Sequence, residues 1–214
     1  CIRDREYPMA GRLVELFAAH HRASYGGCKV GVGDVLIGAT AGIAEAMGIE
    51  NAAHYKDKLA EMVHLNETLH AGALASAARG YQTPSGSYAV DPLLANVCKL
   101  NITRFPFEIS RLAQDIAGGI LVTMPSLEDQ ENPDVGPYVR KYLVGKSGVS
   151  GEKRMRLLRL MENITLGTGA VSYLTESIHG AGSPQAQKIM IPRFCDIEAT
   201  KSYAYQLCGI EDQK

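Results

Sequence analysis

Apolar residues in this chain recur at three- and four-residue spacing, which predicts helices and no convincing strand. Residues 8–24 carry Leu13, Leu16 and Phe17 on one stripe, and residues 31–48 carry Val35, Leu36, Ile43 and Met47. Residues 53–79 align Leu59, Met62, Val63, Leu69 and Ala73, with small side chains over 71–78 that allow another helix to approach closely. Gly80 suits the stop, and a loop over 81–88 follows. Residues 91–117 resume the helical spacing with Pro92 near the first turn, and Pro106 should kink or split it. A long helix from Gly151 places Leu157, Met161, Ile164, Val171, Leu174 and Ile178 on one stripe and stops at Gly180-Ala181-Gly182-Ser183-Pro184. A final helix covers roughly 184–207. Residues 118–136 are irregular, punctuated by Gly118-Gly119, Pro125, Asn132-Pro133 and Gly136. Long antiparallel helices joined by tight turns imply an all-α bundle.

Composition narrows the class without changing it. At 214 residues the chain suits one domain over 1–214, and its 46% apolar share is enough for a core. The net charge is −1 with no basic stripe or polybasic run, which argues against nucleic acid and anionic membranes as partners. No apolar run approaches a membrane span, and Cys1-Ile-Arg-Asp-Arg-Glu6 lacks a signal-peptide pattern. A start at Cys rather than Met fits a fragment or a processed product. Five cysteines without framework spacing suggest a reducing, cytoplasmic setting. Cys98, Cys195 and Cys208 are expected to be ordinary buried thiols.

Nucleotide motifs fail. Gly31-Val-Gly33 lacks the third glycine and a preceding strand, and Gly145-Lys-Ser147 lacks the leading glycine of a P-loop. Glu-x-x-His occurs at Glu61/His64, Glu67/His70 and Glu176/His179, the ligand spacing of di-iron bundles. Such a site needs two motifs on facing helices and two more glutamates, for which Glu15, Glu45 and Glu108 are the candidates; solvated histidines are the plainer reading of His54, His64 and His70. Glu176 lies in the last turn of an apolar helix, where burial would raise its pKa and suit it to proton transfer. An acid near a helix C-terminus is also electrostatically unfavourable, a mild sign of function, although a solvated glutamate explains it too.

His21 and Cys28 stand seven residues apart, with Tyr25 and Lys29 beside them. On an unbroken helix the pair share a face about 10 Å apart along the axis, too far for one metal ion. Gly26-Gly27 can take positive φ and turn the chain back towards the histidine. The two side chains would then bind two irons of one cluster. The alternative is a polar helix end with a buried thiol. Gly180, Ala181 and Gly182 offer close-approach backbone at the start of the last helix, an anion-friendly arrangement and equally a plain turn.

His21-x-x-x-Tyr25-Gly-Gly-Cys28-Lys29, Asp115-Ile-Ala-Gly-Gly119, Val122-Thr-Met-Pro-Ser126 and Glu176-Ser-Ile-His-Gly-Ala-Gly-Ser-Pro184 together strongly resemble the 4-hydroxybutyryl-CoA dehydratases, a branch of the flavin-dependent 4-hydroxyphenylacetate 3-hydroxylase family. The resemblance covers nearly the whole chain, which corresponds to the C-terminal part of such an enzyme, rather under half of it. It implies the helical C-terminal domain of the acyl-CoA dehydrogenase-like fold, a homotetramer, FAD, and a 4Fe–4S cluster held in part by His21 and Cys28. It implies dehydration of an acyl-CoA, 4-hydroxybutyryl-CoA, to crotonyl-CoA, with vinylacetyl-CoA isomerase activity. FAD would act as a transient one-electron acceptor, giving a ketyl-type radical whose β-proton is acidic. In that mapping His21 also takes up the first proton, Glu176 shuttles protons, Tyr25 and Lys29 steady substrate and radical, and Gly180-Ala181-Gly182 form the flavin pyrophosphate loop. The other two cluster ligands are cysteines of the missing half, so the chain alone is expected to bind no stable cluster and to be inactive. Rival readings are a cluster-free flavin-dependent aromatic monooxygenase, a non-catalytic helical assembly module and the di-iron bundle.

Overall fold

The computed structural model describes residue 5, residues 7–146 and residues 148–210. Cys1 and Ser147 lie outside the described residues. The described residues form an all-α bundle around one long helix, α1 (Tyr7–Met47), against which α2 (Ala53–Ala78), α3 (Pro92–Ile102), α4 (Phe105–Ala117) and α8 (Gly151–Thr165) pack. The fold class read from the sequence is therefore found. One short hairpin, β1 (Tyr81–Gln82) with β2 (Tyr88–Ala89), occupies the expected 81–88 loop.

Local chemistry sets the element ends. Asp91 accepts the Leu94 N–H at 2.9 Å and Pro92 occupies the first turn, so α3 starts there. Pro106 has no N–H to continue the ladder, and the helix divides just before it. The irregular stretch holds two short helices, α5 (Ile120–Thr123) and α6 (Leu127–Glu131), the latter opened by a reciprocal Ser126/Asp129 cap. Then comes α7 (Gly136–Leu143), and Ser150 caps α8.

Two expected helices are broken instead. The long helix from Gly151 ends at Leu166-Gly167 and restarts as α9 (Thr168–Ala170), a π-helical turn over Val171–Thr175 and α10 (Glu176–His179). The final helix divides into α11 (Pro184–Phe194) and α12 (Ile197–Leu207), because Asp196 accepts the Ala199 N–H and starts a new helix. Two helices that were expected to be separate, 8–24 and 31–48, are instead one. Gly26 does not break α1: it is buried, and a Cβ there would overlap Ala73 Cβ and lie 3.1 Å from Cys98 Sγ. The glycine serves the close approach of α2 and α3.

Leu36, Ile43, Met62, Ile109, Leu158, Met161 and Tyr173 form the main core, and Tyr25, Leu69, Cys98 and Ile102 a second cluster towards the other end of α1. At roughly 2 kcal/mol for each fully buried large apolar side chain, these contacts dominate the folding free energy. Several expected core positions face outward, among them Leu13, Phe17, Val35, Val63 and Val171. By length and composition α1 is able to cross a membrane, although no uninterrupted apolar run of that length is visible in the sequence; here it is the central helix of the bundle.

Candidate active site

Two elements 150 residues apart in sequence meet at the site: α1 near Tyr25 and the turns from the π-helix to α11. The π-turn makes the Glu176 N–H donate to the Val171 carbonyl, five residues back, which releases the neighbouring Ser172 carbonyl inward. The Lys29 ammonium donates to that carbonyl and to Glu176 Oε2. Tyr25 Oη donates to Glu176 Oε1 at 2.5 Å. One carboxylate thus receives a phenol and an ammonium, both from one face of α1.

Lys99 of α3 completes the arrangement. It is fully buried, its Nζ donates to the Ser177 carbonyl at 2.6 Å, and it stands 5.1 Å from the Tyr25 ring centroid, the same distance as Lys29. Arg22, also buried, donates from Nε to the Ala181 carbonyl at 3.0 Å and from Nη1 to Asn96 Oδ1 at 2.8 Å. Two buried cations, Lys29 and Lys99, therefore act on one carboxylate, and a third, Arg22, acts on Lys99, leaving positive potential for an anionic group or a developing oxyanion.

The titration states follow from this packing. Burial would raise the Glu176 carboxyl, but hydrogen bonds from Lys29 and Tyr25 and the charges of Lys29 and Lys99 outweigh it and hold it below the usual range. This reverses the expected raised pKa, because the Glu176 side chain is 45% exposed and receives two donors. Burial first, and then the bond to Glu176, push the Tyr25 phenol far above its ordinary value, so it stays a donor. Burial and the charges of Arg22 and Lys29 lower Lys99 from 10.5 to about 8.

The glycine turn is shaped by the same contacts. A Cβ on Gly180 would overlap Tyr25 Oη and lie 2.7 Å from its Cζ, so only glycine admits the phenol. Ala181 and Gly182 have φ of 57° and 98°, and the Ser183 side chain is not spent on capping α11. The left-handed turn leaves the Ser183 hydroxyl uncommitted, whereas Pro184 has no N–H and the Gly182 and Ala186 N–H groups donate to the His179 and Ser183 carbonyls, so what the turn offers a pyrophosphate is close backbone approach and one hydroxyl.

Tyr25, Lys29, Glu176 and Gly180 are brought together. His21 stands on the exposed side of α1, its ring 5.4 Å from Tyr25 and 5.8 Å from Phe17. Cys28 is exposed, not buried, and no break turns it back towards His21. The pair therefore share one open face two turns apart. No group of three or more His, Cys, Asp or Glu side chains is placed to hold a metal ion among the described residues. The turn expected to bring the two side chains together is absent, so on this unbroken helix they could reach only separate irons of one cluster, with its other ligands supplied from elsewhere.

The Glu-x-x-His pairs do not converge: Glu61, His64, Glu67 and His70 are exposed on α2, Glu45 is exposed on α1, and Glu108 pairs with Arg111. Cys98 is buried and its thiol is pushed up to about 11 by desolvation, whereas Cys195 is half-buried and Cys208 exposed. Sequence reasoning missed Lys99, Arg22 and the carbonyls of Ser172 and Ser177. The signal for Lys99 was present: it falls within the Ala95, Cys98, Ile102 stripe of α3, where a lysine has no solvent reason to be.

Residues 10–209 match the family model described as 4-hydroxyphenylacetate 3-hydroxylase C terminal. Over 97% of its length the chain is 54% identical to 4-hydroxybutyryl-CoA dehydratase/vinylacetyl-CoA-Δ-isomerase of Clostridium aminobutyricum, covering 44% of that protein. It superimposes with a TM-score of 0.93 on an oxygen-tolerant archaeal 4-hydroxybutyryl-CoA dehydratase from N. maritimus, at 56% identity, covering 97% of this chain and 41% of that one. The oxygenase component of 4-hydroxyphenylacetate 3-monooxygenase complexed with FAD shares the fold at a TM-score of 0.78 and 23% identity, over 87% of this chain and 39% of that one. The chain thus spans less than half the length of these relatives, and the monooxygenases are the distant ones.

Proposed function

The chain belongs to the 4-hydroxyphenylacetate 3-hydroxylase family, through its C-terminal model, and on that footing we propose that it is the C-terminal helical domain of an enzyme converting 4-hydroxybutyryl-CoA to crotonyl-CoA and isomerising vinylacetyl-CoA. The observation that supports this reading best is the joint donation of Tyr25 and Lys29 to Glu176. These residues come from two of the four segments that carry the resemblance, joined in one site.

The chemistry asked of the site is removal of a weakly acidic proton from an acyl-CoA. Glu176, held ionised, is the base that takes a proton on its carboxylate and returns it at a later step. Tyr25 stays protonated and keeps its one Oη hydrogen on Glu176 Oε1, orienting that carboxylate towards the substrate. The Lys29 ammonium stabilises the oxyanion that develops on the substrate carbonyl without reorganisation, because it is already fixed to the Ser172 carbonyl. Gly180 keeps the phenol in place by having no side chain. His21, exposed beside Tyr25, is the proposed acceptor of the first proton, on the ring nitrogen that would otherwise bind iron, since a neutral imidazole has one lone pair.

Gly180, Ala181 and Gly182 would hold the pyrophosphate of FAD, which when bound supplies a reversible one-electron acceptor. His21 and Cys28 would hold one side of a 4Fe–4S cluster, which when bound supplies a Lewis-acidic iron for the leaving hydroxyl. The remaining ligands would come from outside residues 1–214. In this reading the assembled enzyme is a cytoplasmic homotetramer, and the chain alone is inactive.

The test is the content of iron, acid-labile sulfide and flavin in the anaerobically purified intact protein, beside a Cys28→Ser variant. About four irons per subunit with FAD, the iron lost in the variant, is the expected result. Flavin without iron would overturn the cluster and return the protein to the monooxygenase reading.

A further inference from the structure

The two buried lysines grip the same short segment. Lys29 holds the Ser172 carbonyl and Lys99 the Ser177 carbonyl, so Glu176 sits on a turn fixed on both sides. The Ser177 hydroxyl donates to the Tyr173 carbonyl, which ties the residue after Glu176 a second time. Both ammonium groups stand 5.1 Å from the centroid of the Tyr25 ring.

A fully buried ammonium among Ala95, Cys98 and Ile102 is an expensive way to fill a core, since an apolar side chain of similar length fits such a place without desolvating a charge. Its neighbours add to the expense: Arg22 and Lys29 face it with the same sign, and Glu176 is the opposing charge. A locally costly residue that serves no packing need points to the site it touches. Ser177 is the residue Lys99 holds, and the neighbouring Glu176 is the one group there with proton chemistry.

We infer that Lys99 is a positioning residue for proton transfer, clamping the Ser177 carbonyl so that Glu176 stays under the Tyr25 hydroxyl. The inference rests on the reading of Glu176 as the proton-transfer carboxylate. Lys99 itself touches no reacting atom. It acts through the turn that carries Glu176.

The test uses the intact holoenzyme with Lys99→Met, Lys99→Arg, Glu176→Gln and the Lys99→Met/Glu176→Gln double variant. Hydrogen exchange is read by mass spectrometry over peptides covering 172–179, alongside kcat and KM. Lys99→Met is expected to speed exchange in 172–179 at least tenfold and to lower kcat at least tenfold with KM within twofold. In the Glu176→Gln background it should lower kcat by less than twofold. Lys99→Arg keeps a charge and a donor and should retain most of the protection; it also carries the test if the methionine variant does not fold. Unchanged exchange in 172–179, or loosening spread equally over α1 and α3, overturns the inference. A wild type that dehydrates nothing, with 172–179 still loosened by Lys99→Met, leaves the clamp standing and overturns the proposed dehydration instead.

Discussion

Gly180→Ala is a single-methyl probe of the site. The backbone at Gly180 has φ −61° and ψ 141°, which alanine adopts without strain, so the consequence is confined to the side chain. That methyl would overlap Tyr25 Oη and stand 2.7 Å from Tyr25 Cζ, against the roughly 3.5–4 Å of an ordinary carbon contact. Tyr25 is 6% exposed and packed against Leu69, Cys98 and Ile102, so its ring has little room to retreat. The 2.5 Å bond to Glu176 should break. A hydrogen bond to a charged group contributes about 1.5–3 kcal/mol, which corresponds to roughly 10- to 150-fold in kcat if the bond persists into the transition state. The assay is steady-state turnover of the intact enzyme, with Tyr25→Phe and the double variant beside it. Tyr25→Phe should lose a similar factor. The double variant should lose no more than either single one, because both remove the same bond. Wild-type turnover in Gly180→Ala, or fully additive losses, would refute the reasoning.

Other perturbations have equally definite outcomes. Lys99 falls from 10.5 to about 8 in the fold, so the native state binds fewer protons than the unfolded chain and carries a penalty that is complete below about pH 8 and gone above about 10.5. At 1.36 kcal/mol per unit this is roughly 3 kcal/mol, and the stability difference between Lys99→Met and wild type should shift by that order in favour of wild type across pH 8–10.5 in denaturation of the intact protein; parallel profiles would contradict it. Glu176 has its folded pKa below 4.5, so its ionised contacts persist above that pH and are lost as pH falls through the lower folded value. A pH–rate profile should therefore show no acid limb from Glu176 above about pH 4.5, and a limb near neutrality that vanished in Glu176→Gln would contradict its depressed pKa. Gly26→Ala should destabilise by about 1–3 kcal/mol in thermal unfolding through the clash with Ala73 and Cys98, whereas Gly27→Ala, with nothing nearby, should not.

The helical class was readable because apolar spacing is a local property, and α2 begins and ends within a residue of the expected 53–79. The faces were less readable. Leu13 and Phe17 match the helical stripe yet point outward, because periodicity says which residues share a side of a helix and not what covers that side. Gly26-Gly27 was expected to bend the chain, but a glycine inside a helix also permits tight packing, and only the tertiary contact with Ala73 decides between the two. The π-turn at 171–175 has no marker in its sequence, so the inward Ser172 carbonyl was invisible. Glu176 was singled out, yet its environment was misjudged: its donors, Tyr25 and Lys29, lie about 150 positions away, and their proximity depends on α1 packing against that turn.

The most direct test is product analysis of the intact protein, purified anaerobically and given 4-hydroxybutyryl-CoA, with Glu176→Gln as control. Formation of crotonyl-CoA by wild type, reduced at least a hundredfold in the variant, is the expected result. No crotonyl-CoA from a preparation that instead hydroxylates 4-hydroxyphenylacetate with reduced flavin and oxygen would contradict the assignment.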